Sequence, residues 1–156
     1  MKTLRHRADH DALLRRLRRL RPDTPRRWGR MTAPQMVCHL TDAFRNVLGE
    51  RPVASRPGRP TLVGRTVLKW VALYAPVPWP RGVKTRPEAD QELGGTPPGR
   101  DFDADVAALE AAAARFLAAG ERGPRKPHYL FGPLSETQWC RWAYLHMDHH
   151  LRQFGL

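Results

Sequence analysis

Four segments of the chain have the spacing of hydrophobic residues that is typical of amphipathic helices. The first runs from residue 9 or 11 to about residue 20, and its leucines recur every three or four residues between arginines. The second begins after Thr32, a good N-cap residue with Gln35 as its capping-box partner, and it runs to about Leu48. Gly49 follows as a C-terminal stop signal.

The second half of the chain predicts two more helices. An alanine-rich segment from residue 101 or 103 to 119 starts with acidic side chains and stops at Gly120. Ser135, with Gln138 three residues later, is the N-cap of a last helix that runs to about Phe154. Strand signals are weak, so the pattern predicts an all-α fold, a four-helix bundle formed by a single domain over residues 1–156.

Residues 50–100 interrupt this pattern and are rich in proline and glycine. They would form a long crossover between helices 2 and 3, which favours a parallel arrangement of that pair. Within them, the apolar stretch from Leu62 to Tyr74 predicts a short helix or an apolar flap. Connections of this length are usually functional or mobile, and this one could cover a site or simply wrap around the bundle.

Charge and composition narrow the class of protein only modestly. The chain has 156 residues, 41% of them hydrophobic, with 27 Lys and Arg against 15 Asp and Glu, a net charge of +12. The arginine-rich first helix allows a polyanion-binding or nucleic-acid-binding module. We favour a solvated arginine face, because no aromatic residues that could stack on bases interrupt the basic run.

The sequence also predicts where the protein works. Its first ten residues do not resemble a signal peptide, and the longest apolar stretch, residues 67–79, contains Lys69, Pro76 and Pro78 and is too short to cross a bilayer. Two cysteines, Cys38 and Cys140, are too few for a disulfide framework. We therefore expect a cytoplasmic protein without a membrane partner.

Three histidines are candidates for a metal site. His146 and His150 lie one turn apart on the fourth helix, about 40° from each other around its axis, so both can reach one ion. His39 lies on an apolar stripe of the second helix, and bundle cores build metal sites from facing helices. Taken one at a time, such histidines are more often buried core residues.

Three blocks of sequence are familiar in combination: W-G-x-M-T-x-x-Q-M-x-x-H-L at 28–40, F-G-x-L-S-x-x-x-W at 131–139, and H-x-D-H-H-x-x-Q-F-G at 146–155. Together they resemble the DinB/YfiT-like superfamily of metalloenzymes, and most closely a branch of it that is a domain of unknown function. The resemblance covers nearly the whole chain and is weakest across residues 50–100. The chain departs from the pattern at Lys126-Pro127-His128, where lysine and not histidine precedes the proline, so the role of His128 is left open.

The resemblance implies an up-down-down-up four-helix bundle in which His39, His146 and His150 bind one divalent ion. Characterised relatives are transferases or isomerases that use a low-molecular-weight thiol, and others are hydrolases. Three neutral imidazoles would leave the ion an open position for water or a thiol. Nitrogen ligands favour Zn²⁺ or Ni²⁺.

Several residues near the histidines have two interpretations. The acceptors that could orient the ligand imidazoles are Gln35, Asp42, Asp148 and Gln153. His149 and Arg152 could face an anionic substrate or could be ordinary exposed polar residues, and Cys38 is best explained as a small core residue.

Three functions therefore compete. The favoured one is a metal-dependent hydrolase or thiol-dependent transferase that acts on a small-molecule substrate, with a homodimer possible and nucleic acid not favoured. The second is a polyanion-binding bundle that uses the first helix. The third is a bundle that holds a metal without turnover.

Overall fold

The computed structural model describes residues 1–51, 61–83, 90, 93–120 and 125–156. These residues form an all-helical fold, as predicted, and no strand occurs among them. Its five α-helices are α1 Arg7–Leu17, α2 Ala33–Leu48, α3 Lys69–Tyr74, α4 Phe102–Ala119 and α5 Glu136–Gln153. Among the same residues, no helix has both the length and the apolar character needed to cross a membrane.

The two helices that carry the candidate histidines begin with the predicted caps. At α2, the Thr32 side chain accepts a hydrogen bond from the Gln35 backbone, and the Gln35 side chain accepts one from the Thr32 backbone. Ser135 and Gln138 form the same capping box at α5. These caps satisfy backbone N–H groups that the first turn of a helix leaves without partners, so the start of each helix is defined locally.

The helices pack as two pairs that meet at α2 and α5. The most extensive contact joins α2 to α4, where the rings of Phe44 and Phe116 lie 5.2 Å apart. The other pair is α1 and α5, with Leu13 and Leu17 of α1 fully buried. Contacts between α2 and α5 join the pairs, and the candidate histidines lie on these two helices.

The bounds of α1 differ from the prediction. The helix begins at Arg7, two residues or more before the predicted start, and its N-cap His6 makes no side-chain cap. It ends at Leu17 instead of continuing to Leu20. Leu20 is nevertheless buried, because a turn closed by a hydrogen bond from its N–H to the Leu17 carbonyl returns it to the core. The leucine spacing therefore marked burial correctly but not the end of the helix.

The predicted short helix in the crossover is present in two parts. A π-helical turn, Gly64–Leu68, leads directly into α3, which packs against α5 through the buried Leu73. A Cβ atom at position 64 would lie 2.6 Å from the Leu130 carbonyl oxygen, so glycine allows this close approach. Most of the large apolar side chains in this segment face solvent: Leu62, Val63, Val67, Leu68, Trp70, Val71 and Tyr74. Part of the predicted 50–100 crossover lies outside the described residues.

Candidate metal centre

The structure brings the three predicted histidines of α2 and α5 together. His39 and His150 are buried, with 4% and 8% of their surface exposed, and His146 is partly exposed. One nitrogen atom from each residue can be chosen so that all three lie within 4.8 Å of one another. The packing of α2 against α5 therefore joins residues that are far apart in sequence.

The spacing of the rings suits a shared ion. The ring centroids of His39, His146 and His150 are separated by 5.2, 4.8 and 5.0 Å, so they form a nearly equilateral triangle. The Nε2 atoms of His39 and His146 lie 3.2 Å apart. Two ligands of a tetrahedral zinc ion with bonds of about 2.1 Å would be about 3.4 Å apart, so only a small adjustment is needed.

Gln153 defines the tautomer of His150. The side-chain oxygen of Gln153 lies 3.0 Å from Nδ1 of His150. Because an amide oxygen can only accept, Nδ1 carries the proton, and the lone pair of Nε2 is available to a metal. The amide nitrogen of Gln153 donates to the Trp28 carbonyl over 2.9 Å, which fixes the orientation of the amide. This is the orienting role that was predicted for a group of four candidates.

The other three candidates make different contacts. Gln35 belongs to the capping box of α2. Asp42 is fully buried and accepts hydrogen bonds from the backbone and hydroxyl of Thr96, and it also pairs with Arg51. Asp148 pairs with Arg16 at 2.6 Å. The polar residues near the histidines in sequence thus serve mainly to connect helices and loops.

The environment favours the neutral forms of His146 and His150. Burial lowers the pKa of His146 and His150 well below the ordinary value, and the neighbouring imidazoles lower it further. A neutral imidazole has a free nitrogen lone pair and is the form that binds metals. His146 and His150 can therefore bind a divalent cation without first losing protons.

Tryptophan rings lie beside His146 and His149. The Trp142 ring lies 4.9 Å from His146, on the side of α5. Trp79 of the crossover lies 6.1 Å from both His146 and His149, and Trp28 lies 6.0 Å from His149. His149 lies beside the cluster, as its position on the helix predicted. The sequence left open whether the crossover covers the site, and Trp79 shows that one part of it reaches the histidines.

His128 lies outside the group of three and packs against Trp142, whose ring contacts His146. Its ring stacks on Phe131 at 4.3 Å and contacts the edge of Trp142 at 5.6 Å. The backbone N–H groups of Leu130 and Phe131 point at its Nδ1 atom, at 3.2 and 3.3 Å, so Nδ1 is the acceptor. Burial lowers the pKa of His128 to about 3. The sequence left its role open, and the structure shows a neutral, buried side chain.

The two cysteines are buried and form no disulfide. Burial raises the pKa of both Cys38 and Cys140 to about 11, so the thiols stay protonated at neutral pH. A protonated thiol is neither a good nucleophile nor a metal ligand. Cys38 is the small core residue that the sequence indicated.

Comparison with known families identifies the family of the chain. The model of the family described as Protein of unknown function (DUF1569) matches residues 2–155, which is nearly the whole chain. Comparisons with curated proteins and with solved structures gave no match.

Proposed function

The chain belongs to the DUF1569 family, and we propose that it is a metal-dependent enzyme in which His39, His146 and His150 hold one divalent ion. The observation that carries this proposal is the convergence of three imidazoles from two helices, with nitrogen atoms within 4.8 Å of one another. Core histidines without a ligand would not need to direct ring nitrogens at one another. The amide of Gln153, which leaves Nε2 of His150 available, supports the same interpretation.

The ligand set suggests the chemistry. Three neutral imidazoles leave the full charge of the ion and at least one coordination position for a reactant. Such an ion lowers the pKa of a bound water towards neutrality and deprotonates a bound thiol. The protein would then be a hydrolase or a thiol-dependent transferase that acts on a small molecule. Zn²⁺ and Ni²⁺ fit three nitrogen ligands best.

We also propose that the single domain is a DinB-like bundle with up-down-down-up topology. The long helices α1, α2, α4 and α5 would be its four members, and α3 would belong to the crossover. The pairing of α1 with α5 and of α2 with α4 supports this arrangement. Its histidine positions are the ones that the sequence resemblance implies.

A polyanion-binding function has less support. Arg16 of α1 pairs with Asp148, and Arg18, which follows α1, pairs with Glu110 at 3.0 Å. Charges already paired with carboxylates on the same molecule are less available to phosphates. If nucleic acid were nevertheless the partner, its affinity would fall steeply with added salt.

Metal stoichiometry tests the proposal. Protein dialysed against a small excess of Zn²⁺ or Ni²⁺ and then against buffer should retain one ion per chain, measured by elemental analysis. His150→Ala should lose this ion, because two imidazoles remain, whereas His10→Ala on α1 serves as the matched control and should retain it. Retention by both variants, or by neither, would contradict the assignment.

A second measurement tests the open position. Co²⁺ in place of the native ion has a visible spectrum that depends on its ligands. Addition of a small thiol should change that spectrum if a coordination position is exchangeable. A spectrum that no added ligand alters would indicate a closed, structural site and would exclude the enzymatic proposal.

A further inference from the structure

One side of the histidine cluster has an aromatic rim formed by Trp28, Trp79 and His149. The Trp28 and Trp79 rings lie 6.0 and 6.1 Å from the His149 ring, and Trp79 is equally close to His146. Trp28 precedes α2 and Trp79 follows α3, so two separate loops supply the tryptophans. The rim is thus next to a proposed metal ligand and offers flat apolar surfaces to a bound molecule.

Arg81 adds a positive charge to this rim. Its guanidinium carbon lies 4.3 Å above the Trp28 ring, a cation–π contact that restricts a long side chain. Arg81 is exposed, and no ion pair or hydrogen bond joins its side chain to the residues that the structure describes. Its N–H groups are therefore available, in the forked arrangement that binds carboxylate or phosphate oxygens.

The charges nearby do not cancel that of Arg81. Asp148 is the acidic neighbour of His149, and it already has Arg16 at 2.6 Å and Arg152 at 3.8 Å. Both carboxylate oxygens of Asp148 therefore already have an arginine partner, and the positive charge of Arg81 remains at the rim.

We propose that this rim binds the oxyanion group of a small, flat organic acid, with Arg81 contacting the anion and the tryptophans contacting the body of the molecule. The inference rests on the proposed function, because a molecule bound at the rim is a substrate only if the histidines hold a catalytic ion. The substrate class would then be a carboxylate or phosphate-like anion that reaches the ion from this side.

Metal-free, ¹⁵N-labelled protein provides a direct test, since no ion is present to bind the acid. Benzoate and phenylphosphonate are the two anionic probes, and benzamide is a neutral molecule of similar shape. Both anions should shift the indole N–H signals of Trp28 and Trp79, and benzamide should bind about tenfold more weakly than benzoate, because it lacks a charge-assisted hydrogen bond. The stronger of the two anions identifies the acid group that the rim prefers.

Substitution of Arg81 completes the test. Arg81→Gln should weaken benzoate binding about tenfold, whereas Arg19→Gln, an exposed arginine after α1, should leave it unchanged. Equal affinity for benzamide, or unchanged affinity in Arg81→Gln, would overturn the inference. A separate zinc-loading experiment on the same proteins distinguishes the two proposals. Benzoate binding through Arg81 without retention of zinc would support the rim and contradict the metal centre. Retention of one zinc ion without benzoate binding through Arg81 would contradict the rim alone.

Discussion

Gln153 offers the sharpest test of how the metal centre is built. Its side-chain oxygen holds the Nδ1 proton of His150, and its amide nitrogen donates to the Trp28 carbonyl. Gln153→Met removes both hydrogen bonds at nearly constant volume. Gln153→Glu keeps an acceptor for His150 but replaces the donor to Trp28 with an oxygen. The two variants therefore separate orientation of the ligand from anchoring of the loop.

The expected magnitude follows from the role of such partners. Loss of a group that orients a metal-binding histidine typically weakens metal affinity about 10- to 100-fold, or about 1.4 to 2.8 kcal/mol. Gln153 is only 3% exposed, so water cannot readily replace it as the acceptor. Gln153→Met should show this loss. Gln153→Glu should bind zinc at least as tightly as the native chain, since a carboxylate acceptor makes the imidazole a stronger ligand.

Competition against a chromophoric zinc chelator measures these affinities. Both variants lose the donor to the partly buried Trp28 carbonyl, at a cost of about 1 kcal/mol in the free energy of unfolding. Urea unfolding of the metal-free proteins gives that common cost separately. If Gln153→Glu loses as much zinc affinity as Gln153→Met, the reasoning is refuted, because the loop contact and not the His150 hydrogen bond would then determine affinity.

Three further predictions concern stability. Metal binding at a free metal concentration about 100 times the Kd adds about 2.7 kcal/mol to the free energy of unfolding. Chelation should therefore lower the Tm by roughly 5 to 10 °C and leave the helical circular dichroism at 25 °C unchanged. Loss of the helical signal on chelation would contradict this prediction. Asp42→Ala should cost about 3 kcal/mol in the free energy of unfolding measured with urea, because it removes a fully buried carboxylate that pairs with Arg51 and accepts two hydrogen bonds from Thr96. A loss within 0.5 kcal/mol would refute the importance of these contacts. The pKa of His128 is about 3 in the folded chain, against about 6.5 unfolded, so below about pH 6.5 the unfolded state binds a proton that the folded state does not. As the pH decreases, the free energy of unfolding should therefore fall less steeply in His128→Asn than in the native chain. The two slopes should differ by up to about 1.4 kcal/mol per pH unit between about pH 6 and 3. Parallel curves would contradict the buried, neutral state of His128.

Local signals explain why much of the fold was predictable. The capping boxes at Thr32 and Ser135 lie within four residues of sequence, and the structure contains both as predicted. Gly49 ends α2 with a φ of 75°, a conformation that favours glycine. The predicted end of α1 was wrong because a turn, and not the helix, buries Leu20. The spacing of leucines in the sequence is the same in both cases.

The site was predictable only in part. Spacing placed His146 and His150 on one face, and the apolar stripe of α2 directed His39 inward, so the cluster itself could be predicted. The sequence could not show which polar group orients a metal-binding histidine. Asp148 was one of the candidates, and in the structure it pairs with Arg16 of α1. Contacts of this kind depend on how distant helices pack, and hydrophobic periodicity carries no information about them.

The hydrogen bonds of Gln153 have a thermodynamic consequence. One amide is bonded both to His150 and to the backbone of Trp28, whose ring lies beneath Arg81. An ion bound by the histidines would favour the orientation of the Gln153 amide that also holds the Trp28 loop. A molecule bound on that loop would favour the same orientation, in which Nε2 of His150 is available to the ion. Coupling between two binding events is necessarily reciprocal. Metal and anion would therefore bind with positive cooperativity, and the protein would hold its ion more tightly when the acid is present.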